Sequence, residues 1–379
     1  MKIKLFFTAV IAALASCTLT LAVLWALLGM SPEKFGNMAR FMGVMRLIES
    51  RYVADVDDTK LIDGAISGMV KSLDDPHSIY MDEEMFRQLR AHTEGTFGGI
   101  GVYMGFKDGG VQIISVMEDS PGAKAGLKAN DEILAVDGVP VTEFQPEEVA
   151  LHIRGEKGTD VELLVRREGQ EDRTYRITRD EIKMRTVAER MAEDGIGYIR
   201  IAFFSENTGK EFRASMERLE SEGMKGLILD LRENPGGVVT SCVEIGQMLV
   251  PKGTIVSVVE RDGEKDVYTS DLESPKYPVV VLIDGNSASA SEILAGALQD
   301  TGAGILVGTK SYGKGSVQMM LPMLHDDGLK LTIAKYYTPN GRSIDGTGIE
   351  PDVTVELPRD ATSDVQLATA MEVMKEKIQ

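Results

Sequence analysis

The longest uncharged hydrophobic stretch lies at the start of the chain, where residues 5–30 carry no charged side chain. These 26 positions exceed the roughly 20 that a helix needs to cross a bilayer. Lys2 and Lys4 precede the stretch, which favours an N-terminus in the cytoplasm. The pattern predicts a single-pass membrane anchor at residues 1–30, with the rest of the chain extracytoplasmic.

Lipidation at Cys17 is an alternative for this segment. Residues 14–17 read Leu-Ala-Ser-Cys, which resembles a bacterial lipoprotein cleavage box. The apolar run continues for 13 residues beyond Cys17, so an uncleaved anchor is favoured. Since the only other cysteine is Cys242, a structural disulfide is not expected.

Residues 31–90 show helical periodicity. Two apolar stripes recur at helical spacing. They are Phe41, Met42, Met45, Leu47 and Ile48, and then Leu61, Ile62, Ala65, Ile66, Met69 and Val70. The sequence at 73–78, Leu-Asp-Asp-Pro-His-Ser, interrupts the pattern, and we interpret His77 as a turn residue. The stripes predict a helical N-terminal region that forms a core or an interface, with no catalytic residue.

Residues 91–180 have the glycine turns and alternating strands of a separate domain. Gly98, Gly99, Ile100 and Gly101 precede an alternating strand, and such a loop can direct backbone N–H groups at a carboxylate. A hairpin with glycine turns would explain the loop equally well. A helix is predicted at 145–153.

Between residues 181 and 361, apolar runs alternate with helical stripes, which predicts an α/β domain. Strands are predicted at 196–201, 226–231, 279–283, 305–307, 316–322 and 329–337, and helices at 209–220 and 239–249. A terminal helix is predicted within 362–379, with apolar positions at Val365, Leu367, Ala368, Met371 and Met374.

The amino-acid composition excludes some classes of function. The chain of 379 residues has 43% hydrophobic and 26% charged residues, which is ordinary for a globular protein. Its net charge of −18 argues against a nucleic-acid partner, because no basic surface would meet the phosphates. No histidine or cysteine cluster has metal-ligand spacing, so neither a metal nor a cofactor is expected.

The candidate chemistry lies in residues 278–318. Ser289 precedes a helical stripe, and Glu292 three positions later completes a capping-box pattern. A hydroxyl at a helix N-terminus lies near unpaired N–H groups, which suits an oxyanion. No histidine occurs in this stretch, so a base would have to be another residue, such as a buried and neutral Lys314.

Two other interpretations compete. Ser289 could be an ordinary N-cap and Lys314 an ordinary loop lysine. Alternatively, residues 308–314 match the first seven positions of a phosphate-binding G-x-x-x-x-G-K-[ST] loop. Gly315 replaces the required hydroxyl, and a predicted strand follows where a phosphate site needs a helix, so this interpretation is disfavoured.

Residues 286–293, Asn-Ser-Ala-Ser-Ala-Ser-Glu-Ile, and 312–318, Tyr-Gly-Lys-Gly-Ser-Val-Gln, together resemble the carboxy-terminal processing proteases of the S41 serine peptidases. The resemblance implies a ClpP/crotonase-like α/β protease domain at 181–361. It makes Ser289 the nucleophile, Lys314 the general base and Gln318 the orienting third residue.

The resemblance also implies supporting residues. Ala290 would donate one oxyanion N–H, and either Gly236 or Gly237 would donate the other. Asp300 would support the site through helix packing. The helical region at 31–90 would form a homodimer.

A second resemblance is to PDZ domains, carried by residues 96–102, 120–127 and 130–138. It implies that the loop from Gly98 to Gly101 binds a peptide C-terminus, and that Arg154 is a possible switch.

The expected fold is therefore a multidomain α/β (α+β) protein in which a membrane helix, a helical region and a PDZ domain at 91–180 precede the protease domain. The expected function is a serine endopeptidase that cleaves extracytoplasmic proteins near free apolar C-termini. A catalytically silent PDZ scaffold and a nucleotide-binding protein are the alternatives.

Overall fold

The computed structural model describes residue 16 and residues 32–107, 110–144, 146–358 and 363–378. The predicted anchor, residues 5–30, therefore lies outside the described residues apart from Ser16. Among the helices that are described, none has the length and hydrophobicity to cross a membrane. The chain divides into two compact units, Met1–Asp74 and Asp75–Gln379.

Within residues 32–74, the first unit contains the helices α1 (Pro32–Arg51) and α2 (Asp58–Lys71), which confirms the helical prediction for this part of the chain. The carboxylate of Asp57 caps α2 by accepting hydrogen bonds from the backbone of Thr59 and Lys60. Apolar side chains of α1 are exposed in the single chain: Phe35, Met38, Phe41, Met42, Val44 and Leu47.

The second unit starts with a short strand, a helix and a second strand. These are β1 (Ile79–Met81), α3 (Glu83–Glu94) and β2 (Thr96–Gly99). Gly95 ends α3 in the left-handed conformation that favours glycine at this position.

An antiparallel sheet follows. Its elements are β3 (Val102–Lys107), β4 (Gly110–Val116), α4 (Pro121–Ala125), β5 (Glu132–Val136), β6 (Val139–Pro140), α5 (Pro146–Ile153), β7 (Asp160–Arg166) and β8 (Arg173–Thr178). The strand order is β3-β4-β5-β7-β8, with β6 beside β5. Alternate side chains face a separate core that includes Ile113, Ile133 and Leu163. This region therefore has its own hydrophobic core, as the sequence pattern indicates.

The remaining chain alternates strands and helices. The elements are β9 (Asp180–Lys183), β10 (Val187–Met191), β11 (Ile196–Ile201), α6 (Thr208–Ser221), β12 (Gly226–Asp230), α7 (Val239–Leu249), β13 (Gly253–Glu260), β14 (Lys265–Ser270), β15 (Val279–Ile283), α8 (Ala290–Asp300), β16 (Gly304–Gly308), β17 (Ser316–Pro322), β18 (Gly328–Tyr337), β19 (Val353–Thr354) and α9 (Val365–Ile378). The predicted strands at 279–283 and 316–322 and the helix at 239–249 are confirmed with the same bounds.

The central sheet has the order β10-β11-β12-β15-β16-β19, and all pairs except β10–β11 are parallel. Every residue of β12 and β15 is buried. This is expected for parallel strands that have helices on both faces. One core includes residues of α6, α7 and α8, and a smaller core on alternate strand positions includes residues of α9.

A second sheet carries the segment that follows the candidate lysine. Its order is β1-β18-β13-β14, and β17 pairs with β18. Separately, β2 pairs with β9, so a two-stranded stem joins the chain segments that enter and leave the β3–β8 sheet.

Candidate active site

The predicted nucleophile, Ser289, lies at the N-cap of α8, directly above the carboxyl end of the parallel strand β15. Its backbone has φ 55° and ψ −115°, a conformation that a non-glycine residue adopts at a cost of about 1–3 kcal/mol. Since α8 is buried over residues 290–298, the surrounding core holds Ser289 in this conformation. Strain of this kind on the turn between a strand and a helix is typical of an exposed nucleophile.

The glycine loop passes close to Ser289. A Cβ atom built on Gly236 would lie 2.8 Å from the Ser289 Cβ and 2.9 Å from the Ala290 nitrogen. Only glycine therefore fits, and the loop comes within reach of the first N–H groups of α8. The S41 resemblance implies that Gly236 and Ser289 belong to one site, and in the structure they lie next to each other.

The two candidate glycines differ in their hydrogen bonds. The Gly236 N–H donates to the Asn234 side chain at 2.9 Å. Gly237 forms a bridge with Phe204, in which Phe204 donates to the Gly236 carbonyl and accepts from Val238. Within the described part of the chain, the Gly237 N–H has no hydrogen-bond partner.

Glu292 joins the nucleophile segment to the lysine segment. Its side chain is only 1% exposed. One carboxylate oxygen accepts from the backbone N–H of Ser289 at 2.8 Å and of Lys314 at 2.9 Å. The other accepts from the Ser311 hydroxyl at 2.6 Å and the Gly313 N–H at 2.7 Å. The capping residue found in the sequence is therefore also a tertiary link.

Tyr336 links the same two segments through their backbone carbonyl groups, and no sequence pattern indicates this role. Its buried hydroxyl donates to the Ser289 carbonyl at 3.2 Å and contacts the Lys314 carbonyl. Burial raises the pKa of the Tyr336 phenol well above its usual value, so the hydroxyl remains a donor.

Lys314 is half-buried and lies in the loop before β17. Burial lowers the pKa of the Lys314 amine, and the nearby Lys330 lowers it further. Asp75 and Glu292 oppose this by favouring the ammonium form. In the described residues, no hydrogen bond joins the Lys314 amine to the Ser289 hydroxyl.

Among the described residues, no hydrogen bond joins the Gln318 side chain to the Lys314 amine. Its side-chain nitrogen donates to the Ser316 hydroxyl at 2.9 Å and to the Thr332 hydroxyl at 3.4 Å. Lys314 does not share a strand face with Gln318, because β17 begins only at Ser316. An irregular register between Val317 and Gln318 also changes the local alternation.

Asp300 lies at the other end of α8, about 16 Å along the helix from Ser289 at 1.5 Å per residue. Its carboxylate accepts from the Asn340 N–H at 2.9 Å and pairs with Arg342. Asp300 therefore holds the turn after β18 through hydrogen bonds and an ion pair.

The predicted peptide loop and the predicted switch residue are directly connected. The Arg154 guanidinium lies over the Phe97 ring, 4.7 Å from its centre. The Gly155 N–H donates to the Gly98 carbonyl at 3.1 Å. Ile100 is buried in the core of the β3–β8 sheet, and the Gly101 carbonyl accepts from Met117.

Ionisable groups outside this region do not form a metal site. In the ranges that the structure covers, no group of three or more histidine, cysteine, aspartate or glutamate side chains could hold an ion.

Models of three known families match this chain. Peptidase family S41 matches residues 195–355, the N-terminal domain of the activating protease CtpB matches residues 29–85, and the PDZ domain matches residues 112–167. The first match includes both Ser289 and Lys314, and the third includes α5.

Relatives that align with most of the chain indicate the same family. The carboxy-terminal processing protease CtpB of Bacillus subtilis is 42% identical over 332 residues, which cover 86% of this chain and 69% of the relative. A carboxy-terminal-processing protease of Bartonella bacilliformis is 40% identical, over 86% of this chain and 76% of the relative.

The fold leads to the same family. The photosystem II D1 C-terminal processing protease is 28% identical, has a TM-score of 0.50, and covers 88% of this chain and 96% of its own. The S41 resemblance seen in the sequence is thereby confirmed. The chain belongs to peptidase family S41 and is a carboxy-terminal processing serine protease of the PDZ-containing type.

Proposed function

We propose that the chain is a serine endopeptidase in which Ser289 is the nucleophile and Lys314 is the general base. The observation that carries the proposal is the pair of links through Glu292 and Tyr336. They hold the backbone of Ser289 and the backbone of Lys314 to the same two side chains. These links hold together the segment of Ser289, which has a strained backbone, and the segment of Lys314, which has a partly desolvated amine.

In the proposed reaction, the neutral Lys314 amine accepts the proton of the Ser289 hydroxyl while the oxygen attacks the substrate carbonyl carbon. Burial favours the neutral amine, which a base requires. The amine must first approach the hydroxyl. The lysine ammonium then gives its proton to the departing amine. In the second half, Lys314 accepts a proton from water as the water oxygen attacks the acyl carbon, and the proton passes to the Ser289 oxygen as the acyl bond breaks.

The oxyanion would be held by two backbone N–H groups. Ala290 supplies one because it is the first residue of α8, where helical N–H groups have no partner within the helix. We assign the other to Gly237, since the Gly236 N–H is engaged by Asn234.

Gln318 would orient the base through its amide oxygen. Its nitrogen donates to Ser316 and Thr332, which leaves the oxygen as an acceptor for an N–H of Lys314. This role requires a small movement of the lysine side chain toward Gln318.

The loop from Gly98 to Gly101 would bind the free apolar C-terminus of a protein substrate and deliver the chain to Ser289. Arg154 would report peptide occupancy, because it touches Phe97 beside this loop. The support is the direct contact between the two segments. The substrates would be extracytoplasmic.

The anchor at residues 5–30 and a homodimer through residues 31–90 complete the proposal. The uncharged run supports the first, and the exposed apolar side chains of α1 support the second.

The test uses the full chain in detergent micelles. A peptide with a free apolar C-terminus is the substrate, and the products are identified by mass spectrometry. Ser289→Ala and Lys314→Ala should each lower kcat by about 10⁴-fold or more, as removal of a nucleophile or its base does in serine proteases. Lys310→Ala is the matched control, because Lys310 lies in the same loop and pairs with Glu350 at the surface.

Full activity of Ser289→Ala would overturn the proposal. If the wild-type chain binds the peptide but neither cleaves it nor reacts with a serine-directed fluorophosphonate, the function is that of a PDZ scaffold.

A further inference from the structure

The turn before β1 approaches the candidate site from a distant part of the sequence. Asp75 accepts from the His77 N–H at 3.0 Å with one carboxylate oxygen, and from the Ser78 hydroxyl at 2.6 Å with the other. Ser78 is 8% exposed. The carboxylate and the hydroxyl are therefore held rigidly relative to each other.

This turn is attached to the β17–β18 hairpin. The Thr332 N–H donates to the Ser78 hydroxyl at 3.0 Å, across 254 positions of sequence. Immediately beyond, β1 pairs with β18, with Ile79 opposite Lys330. Tyr80 fixes the pairing with a buried hydrogen bond of 2.8 Å from its hydroxyl to Asp327.

Thr332 connects the turn to Gln318. The two residues are opposite each other in the β17–β18 register, and the Gln318 side chain donates to the Thr332 hydroxyl at 3.4 Å. A continuous chain of hydrogen bonds thus runs from Asp75 through Ser78 and Thr332 to Gln318.

Three charged groups influence the Lys314 amine electrostatically, each on a different element. They are Asp75 before β1, Lys330 on β18 and Glu292 on α8. Asp75 raises the pKa of Lys314, as an opposite charge does, whereas Lys330 lowers it. The carboxylate at the end of the hydrogen-bond chain is therefore also an electrostatic neighbour of the amine.

We propose that Asp75 and Ser78 form a positioning element of the active site, which sets the side chain of Gln318 through Thr332 and places one negative charge beside Lys314. This inference rests on the proposed roles of Ser289 and Lys314. It assigns a role in the reaction to a segment more than 200 residues before the nucleophile, in a region where the sequence indicated only a turn.

The positioning part is tested at Thr332, with kcat and KM measured separately on the full chain. Thr332→Val keeps the shape but removes the hydroxyl, and it should lower kcat about tenfold with KM unchanged, because misplaced catalytic groups cost rate rather than binding. Thr332→Ser restores the hydroxyl and should recover most of the rate. Ser78→Ala should resemble Thr332→Val, and the double variant should be no worse than either, since both act on one path.

The electrostatic part is tested by the pH profile of kcat/KM for Asp75→Asn. Asparagine can still accept from His77 with its one oxygen, whereas its NH2 group cannot accept from the Ser78 hydroxyl, so the variant removes the charge together with one hydrogen bond. Only the loss of charge is expected to move the profile along the pH axis. Without the carboxylate the Lys314 ammonium is less favoured and its pKa falls, so the neutral amine persists to lower pH. The acid limb of the profile should therefore move to lower pH. Asp326→Asn is the matched control, because Asp326 is exposed in the turn of the same hairpin.

The outcomes separate the two claims. If Ser289→Ala keeps its activity, the proposed function fails and this inference fails with it. If Ser289→Ala is inactive, the inference alone is overturned by wild-type kcat in a folded Thr332→Val. It is also overturned if kcat/KM of Asp75→Asn is lower at every pH but the acid limb of its pH profile does not shift. That result would indicate that Asp75 has only a structural role. Thermal unfolding of each variant establishes that it is folded.

Discussion

The two halves of the candidate site are held in place by different means. Ser289 begins a helix whose residues 290–298 are all buried, and it follows a strand that is buried on both faces. Lys314 lies in a loop before β17, where Ser316 is buried but Met319 is 44% exposed. The proposed nucleophile is therefore positioned by the hydrophobic core, whereas the proposed base is positioned by a few polar contacts.

This difference shows where the site can be adjusted. A close-packed core resists movement, because small displacements lose many contacts at once. The polar contacts at a partly exposed hairpin are fewer, and each can break or re-form without disrupting the others. We infer that the competent geometry depends on the lysine side and on the groups that hold it, namely Glu292, Tyr336 and the Asp75–Ser78 turn.

The largest effect is expected from Glu292→Gln, which breaks the link between the two halves. The carboxylate accepts from four donors, two on each oxygen, and the amide nitrogen of glutamine cannot accept, so two of these hydrogen bonds are lost. We expect kcat to fall by about 10²-fold or more and the free energy of unfolding to fall by about 2–3 kcal/mol. Steady-state kinetics and chemical denaturation measure the two quantities.

Glu350→Gln is the control for this experiment, because Glu350 is exposed and forms a surface ion pair. An active and fully stable Glu292→Gln would show that the two segments are held together in some other way.

A smaller effect is expected from Tyr336→Phe, which removes only the hydroxyl from the carbonyl side of the link. The ring stays in the core, so the fold should persist. We expect kcat to fall about tenfold, since one hydrogen bond of about 1.4 kcal/mol corresponds to a factor of ten. Tyr337→Phe, on the next residue of β18, is the control. Equal rates for the two variants would remove Tyr336 from the site.

The smallest effect is expected at Arg154, which lies in neither half. Loss of its contact with Phe97 is worth about 0.5–1 kcal/mol, so Arg154→Ala should raise KM two- to fivefold for a peptide with a free C-terminus. The same peptide with an amidated C-terminus should show no difference. Arg173→Ala removes a similar contact with Tyr175 and serves as the control. An effect as large as that of Glu292→Gln would mean that Arg154 belongs to the catalytic machinery.

The predicted elements agree closely with the structure wherever a segment is long and strongly patterned. The buried strand at 279–283 and the helix at 239–249 carry their own signals, an apolar run and a helical stripe. The Ser289-to-Glu292 spacing likewise identified the helix start, because a capping box is a local pattern. The strand at 316–322 was likewise predicted correctly, but the direction of the Lys314 side chain was not, since the lysine lies outside β17 between two glycines that carry no periodic pattern.

The sequence by itself determined the order of strands and helices, the start of the nucleophile helix and the family, because each of these is encoded in residues that are neighbours along the chain. Tertiary structure alone decided that Tyr336 contacts the Lys314 carbonyl, that Thr332 bonds to the turn at Ser78, and that Gly236 rather than Gly237 uses its N–H within the loop. The physical reason is that a hydrogen bond between residues up to 254 positions apart has no local pattern, so it exists only once the sheets have paired and fixed their register.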